Sequence, residues 1–138
     1  DCFDIDYGIS QQIGSASTKG SLEMSSSYTG GLSAKVSLAL KSSCTNVPGT
    51  ATLYLNTSSA SANVLKGALK YTVLKDSTVV STGVISSSNK ITLASNIDVS
   101  STTPVTYTVY VWLDGSIADN SYANVTYNGY ISAEAVSK

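Results

Sequence analysis

The stretch Val105-Thr106-Tyr107-Thr108-Val109-Tyr110-Val111-Trp112-Leu113, resumed after a polar turn as Val125-Thr126-Tyr127-Asn128-Gly129-Tyr130-Ile131-Ser132-Ala133, decides the fold class. Val105, Tyr107, Val109, Val111 and Leu113 are all large and apolar, so they line one face at the two-residue period of a β-strand. Val125, Tyr127, Gly129, Ile131, Ala133 and Ala135 repeat the pattern, with Asn124, Thr126, Asn128, Ser132 and Glu134 on the opposite face. The two segments predict a hairpin with one dry side and an antiparallel β-domain. Tyr107, Val109, Val111, Val125, Tyr127 and Ile131 are its expected core.

Outward from there, every apolar segment is short and has the strand period. Val36, Leu38 and Leu40 alternate with Lys35, Ser37, Ala39 and Lys41, and Leu53 with Leu55 forms a short strand after a Pro48-Gly49 turn. Leu22 and Met24 mark another segment. Leu69, Tyr71 and Val73, then residues 79–85 and 91–93, read as a meander with turns at Asp76-Ser77 and at residues 86–89. Ser61 is a candidate N-cap of a helical turn over residues 61–65. The expectation is one jelly-roll-like β-sandwich of eight or nine strands filling residues 1–138.

Composition narrows the function classes. Only 12% of the 138 residues are charged, against roughly 25% in ordinary soluble domains, while 41 are Ser or Thr. The eight basic residues are all Lys, scattered along the chain, and there is no His. Without Arg or a basic stripe, nucleic-acid binding is not expected. Without an imidazole, a Ser-His-Asp or Cys-His device cannot be built, and no enzymatic activity or cofactor is expected. No apolar run approaches the roughly 18 residues of a membrane helix, so neither a membrane span nor the helix on which type IV pilins polymerise is expected. The first residue is Asp1 and not Met, which reads as a processed form or a piece of a longer protein. Cys2 and Cys44, the only cysteines, are expected to form one disulfide in an oxidising compartment. That bridge closes a loop of about 43 residues and stabilises the fold by roughly 3 to 4 kcal/mol in the chain-entropy account.

Four further groups carry candidate chemistry. Asp114, Asp119 and Asn120 in one turn, and Asp4 with Asp6 on one strand face, offer oxygen ligands to Ca²⁺, although Asp-Gly is first of all turn chemistry. Asn56-Thr57-Ser58 and Asn124-Val125-Thr126 are N-glycosylation sequons. Tyr110, Trp112 and Tyr130 share the second face of the expected hairpin, where they form a platform for sugar rings or a buried packing face. Lys-to-Asn isopeptide chemistry near Glu134 is a further candidate for a surface protein.

The succession Ala51-Thr52-Leu53-Tyr54-Leu55, Gly67-Ala68-Leu69-Lys70-Tyr71, Tyr107-Thr108-Val109-Tyr110-Val111-Trp112-Leu113-Asp114-Gly115 and Gly129-Tyr130-Ile131-Ser132-Ala133 resembles secreted surface proteins of Gram-positive bacteria of the TasA and camelysin type, and also archaeal bundling pili. The similarity covers residues 50–136 and not the part carrying Cys2 and Cys44. It implies a jelly roll, an extracellular or cell-surface location and assembly into fibres. The protease activity implied by the camelysin name has no His here to rest on.

The N-terminus suggests how such a fibre would be joined. Phe3, Ile5, Tyr7 and Ile9 alternate with Asp4, Asp6 and Gly8 and are followed by a small, polar lead over residues 10–17. Residues 1–12 therefore read as an exchangeable strand. Inserted in a groove of the next copy, it would supply main-chain hydrogen bonds and four alternate side chains, and a head-to-tail contact of this kind propagates. The alternative is that the strand stays in its own sheet, held by the disulfide. The leading expectation is thus a self-assembling filament subunit, and the competing one is a secreted adhesin or carbohydrate-binding module that takes surface glycans.

Overall fold

The computed structural model describes residues 1–14, 24–25 and 32–138. Their backbone forms two packed sheets. The first follows the order β1 (Phe3–Asp6), β4 (Leu32–Leu40), β9 (Val105–Asp114), β6 (Leu69–Lys75) and β7 (Thr78–Val84), with the two-residue β3 (Met24–Ser25) parallel to the end of β9. The second has the order β2 (Gln12–Gly14), β10 (Tyr127–Ser137), β5 (Gly49–Ala60) and β8 (Ile91–Val99). All other neighbours are antiparallel. The all-β sandwich expected from the sequence is the fold observed.

Alternation places the core between the sheets. Val36, Leu69, Val73, Val109, Val111 and Leu113 face inward from the first sheet, and Ala51, Leu53, Leu55, Leu93, Tyr127 and Ile131 from the second; all are at most 2% exposed. Tyr107 and Val125 join them, so the expected core set is buried as a whole.

The pairing of the deciding stretch differs from expectation. β9 pairs with β4 and β6, whereas β10 pairs with β5 and β2 in the other sheet. Residues 115–126 are thus an arch that crosses the core, not a hairpin turn. Periodicity reports which face of a strand is dry and is blind to which strand lies beside it. The expected meander breaks in the same way: β6 and β7 are a hairpin turned at Asp76 with φ 53°, but β8 belongs to the opposite sheet.

Smaller readings shift as well. Pro48-Gly49 is not a turn, because Gly49 opens β5 and is buried. The segments read around Leu53-Leu55 and Ile91-Leu93 belong to longer strands of 12 and 9 residues. Residues 62–65 form a short 3₁₀ turn, but Ser61 does not cap it with its side chain. Its hydroxyl instead accepts from the Thr126 amide at 2.9 Å and contacts the Thr126 hydroxyl at 3.0 Å, pinning the arch. The strand expected around Leu22 lies outside the described residues.

Candidate assembly site

The N-terminal strand closes one end of the first sheet. β1 pairs with residues 37–40 of β4, in register from Phe3 with Leu40 to Asp6 with Ser37. The Lys41 amide donates to the Cys2 carbonyl at 3.0 Å and continues the ladder. Cys2 immediately precedes β1, Cys44 lies in a 3₁₀ turn just after β4, and their Cα atoms stand 5.4 Å apart across the expected disulfide. In this structure the strand therefore occupies its own sheet, tied to it covalently.

Two side chains hold β1 down. Phe3 is buried, and it owes its place to Gly49: a Cβ there would run into the Phe3 ring and come within 2.5 Å of the Val136 carbonyl oxygen. Tyr7, just past the strand, reaches the second sheet, where its hydroxyl accepts from the Ala133 amide at 3.0 Å. Ile5 is half-buried against the core. Ile9 departs from the expected four-residue row. Gly8 adopts φ 65°, the Asp6 carboxylate accepts its amide at 2.8 Å, and the chain swings away so that Ile9 is wholly exposed. The row ends at Tyr7 because left-handed backbone at Gly8 breaks the period. Beside this bend an open cleft of about 460 Å³ runs between Tyr7, Ile9, Ser10 and Gln12 on one side and Ser33 and Lys35 of β4 on the other.

The aromatic platform does not assemble. Because β9 and β10 lie in different sheets, Tyr110 and Trp112 stand on the outer face of the first sheet and Tyr130 on the outer face of the second. Trp112 is also 9% exposed, with its indole N–H donating to Thr72 Oγ1 at 3.1 Å and Lys70 Nζ 6.0 Å from its ring. A side chain so covered offers no flat face to a sugar.

The acidic turn divides into two separate networks. Asp114 accepts from Lys70 Nζ at 2.7 Å and from the Ser116 amide and hydroxyl at 2.9 and 2.6 Å. The Lys70 contact and those Ser116 bonds hold its carboxyl at about 2, well below the usual aspartate range. Asp119 accepts from the Ser121 amide at 2.9 Å and from its hydroxyl, which lowers its pKa too. Asn120 begins the short 3₁₀ turn that Asp119 caps. Asp4 and Asp6 are exposed on β1. Among the described residues no three acidic, Cys or His side chains stand together as a metal would require, and no helix is long and apolar enough to cross a membrane.

The two sequons differ in context. Asn56 lies within β5, and its amide donates to Ser132 Oγ at 2.9 Å and to the Tyr130 carbonyl at 3.3 Å. Asn124 is exposed at φ 60° in the arch. Glu134 lies 3.5 Å from Lys90 Nζ in an exposed ion pair, and that ammonium sits 4.1 Å above the Tyr54 ring. This is a wet pairing, unlike the enclosed setting that isopeptide closure needs.

One feature escaped the sequence reading. β7 is the opposite end of the first sheet, and Thr78-Val79-Val80-Ser81-Thr82-Gly83-Val84 carries no charge and no Pro. Val79, Val80 and Val84 are 40–47% exposed. Edge strands are normally guarded by charge, Pro or cover; β1 has Asp4 and Asp6, and β7 has a bulge between Val79 and Ser81, opposite Leu74 and Val73, and a tie to β8 through the Ser81 hydroxyl, which donates to the Leu93 carbonyl. The signal was available as seven residues without a charge, five of them β-branched, but only the strand order identifies them as an edge.

No family model, no curated protein and no solved structure matches the chain.

Proposed function

We propose that this protein is the structural subunit of an extracellular filament, at a cell surface or in a matrix, and that copies are joined by exchange of the N-terminal strand. One observation carries the reading. A strand of only four residues closes one side of a sheet and is joined to the rest of the body by a loop bent at a left-handed glycine and bearing an outward isoleucine. Its seat is shaped for it, with Gly49 kept bare for Phe3 and the Ala133 amide met by Tyr7. A strand-shaped seat accepts the same strand from another copy with the same contacts, so exchange changes the connectivity and little else.

Three further properties support the reading. The surface is rich in hydroxyls and poor in charge, as suits a subunit flanked by neighbours. A disulfide fits an oxidising exterior. The uncharged β7 edge, with Val79, Val80 and Val84 exposed, gives a second element for lateral contact between copies. The resemblance of residues 50–136 to secreted fibre proteins points the same way. An adhesin would need a surface other than the expected platform, since Tyr110 and Trp112 stand on one sheet and Tyr130 on the other.

Electron microscopy of the purified chain tests the proposal. With a trace of thiol to open the internal Cys2–Cys44 bridge, the intact chain is expected to form filaments, and a chain lacking residues 1–10, or carrying Ile5→Asp with Tyr7→Asp, to remain monomeric. Filaments of normal length from both altered chains would refute strand exchange.

A further inference from the structure

We propose that in the assembled filament the Cys2–Cys44 disulfide runs between copies, so that each subunit's Cys2 is bonded to Cys44 of the next and the polymer is covalently continuous. The inference rests on the strand-exchange reading and concerns what exchange does to the sulfurs.

The two cysteines ride on different parts of the molecule. Cys2 adjoins Phe3, the first paired residue of β1, and so travels with the strand. Cys44 belongs to the turn after β4 and stays with the body. There is no slack between them: Phe3 pairs with Leu40, Cys2 accepts from Lys41, and Cys44 follows three residues later. A β1 that leaves its own β4 must therefore carry Cys2 away from its own Cys44. When it docks on the next copy in the same register, its Cys2 meets that copy's Cys44 at the same 5.4 Å Cα separation, within the range that a disulfide spans. Exchange and an internal bridge are thus mutually exclusive, and the seat that takes the strand also presents the bonding partner.

The other side of β1 does have slack. Docking reproduces the Tyr7 bond to Ala133, which leaves residues 8–10 as the connection to Gln11, whose carbonyl and side-chain amide are bonded to Ile131 of β10. Extended, three residues reach about 10 Å. Opening the bend strips no buried contact from Ile9, which has none.

The bond can move without net oxidation. The thiolate of a small-molecule thiol attacks Cys44 Sγ; one S–S bond breaks, one forms, and Cys2 leaves as a thiolate with β1 released. After the strand docks, that thiolate attacks the mixed disulfide on Cys44 of the next copy and expels the thiol. Each step breaks one S–S bond and makes one, and the thiol is regenerated.

Equal amounts of ¹⁵N-labelled and unlabelled chain, mixed as monomers and assembled with a trace of thiol, provide the test. The filaments are alkylated and cleaved with trypsin, which cuts between the cysteines at Lys19, Lys35 and Lys41. The disulfide-linked peptides are then weighed. Bridges between copies give a hybrid of one labelled and one unlabelled half, in the half share that random pairing gives, and the starting monomers give none. Filaments whose bridged peptides are only wholly labelled or wholly unlabelled would overturn the intermolecular bridge and leave the fibre reading standing on another joint. If the intact chain forms no filaments, both fail together.

Discussion

Replacing Val109 by Ala probes the register on which the sandwich is built. Val109 is fully buried, facing Ala34 of β4 and Val73 of β6 across the two flanking ladders. Two carbons are removed at about 0.8 kcal/mol each. The hole they leave adds up to about 1 kcal/mol at roughly 24 cal/mol per Å³ if the surrounding strands do not relax. The expected loss is therefore about 2 to 3 kcal/mol. Urea unfolding with the disulfide intact, followed by Trp112 fluorescence, reads this as a fall in midpoint of roughly 1 M for a slope near 2 kcal/mol per M. Thr106→Ala, on the outer face, gives up only a 3.0 Å hydroxyl contact with Ser37 and is expected to cost less than about 1 kcal/mol. Equal losses, or a larger loss from Thr106→Ala, would refute the assignment, because a one-residue slip exchanges the two faces.

Other substitutions test particular contacts. Gly49→Ala is expected to cost about 1 to 3 kcal/mol by overpacking against Phe3 and the Val136 carbonyl, and amide exchange should accelerate in β1 and at the paired ends of β5 and β10 around Gly49 and Val136 but not in the middle of those two strands; uniform protection would contradict the seat described for Phe3. Tyr127→Phe deletes the 3.0 Å hydroxyl contact with Thr57 and should lower stability by about 1 kcal/mol, measurable in the same unfolding assay. The carboxyl of Asp114 is held at about 2, down from 3.8, so its stabilising contribution is complete above the ordinary aspartate range and fades as pH falls toward the lowered value. Asp114→Asn should accordingly flatten the acid fall in unfolding midpoint between pH about 4 and about 2, and parallel acid limbs for the two chains would contradict the Lys70 and Ser116 network.

The inward rows were legible because burial on one face leaves a mark at every second residue. Val109 and Val111, or Tyr127 and Ile131, announce themselves without any knowledge of neighbours. Strand order leaves no such mark. The run from Asp114 to Asn120 looks the same whether it turns a hairpin or arches over the core, and what separates the two lies in partners distant in sequence, such as Ser61 against Thr126 and the Ala68 amide against the Tyr122 hydroxyl. The platform of Tyr110, Trp112 and Tyr130 failed for this reason alone, since each residue does face outward but from different sheets. The disulfide was legible from the cysteine count. The end of the β1 row at Tyr7 was half legible: Gly8 permits a bend, but Ile9 kept the apolar period alive in the sequence after the strand itself had stopped. Gly49 was misread as turn chemistry because the Phe3 ring that requires a bare backbone there lies far away along the chain.

Helical reconstruction of the filament by electron cryo-microscopy tests the central claim most directly, by tracing backbone density from Gly14 back through Ile9 to the strand seated on residues 37–40 of β4. The account predicts that this path crosses from one subunit to the next at every joint. A path that bends at Gly8 and returns to β4 of its own subunit, as it does in the single chain, would contradict it.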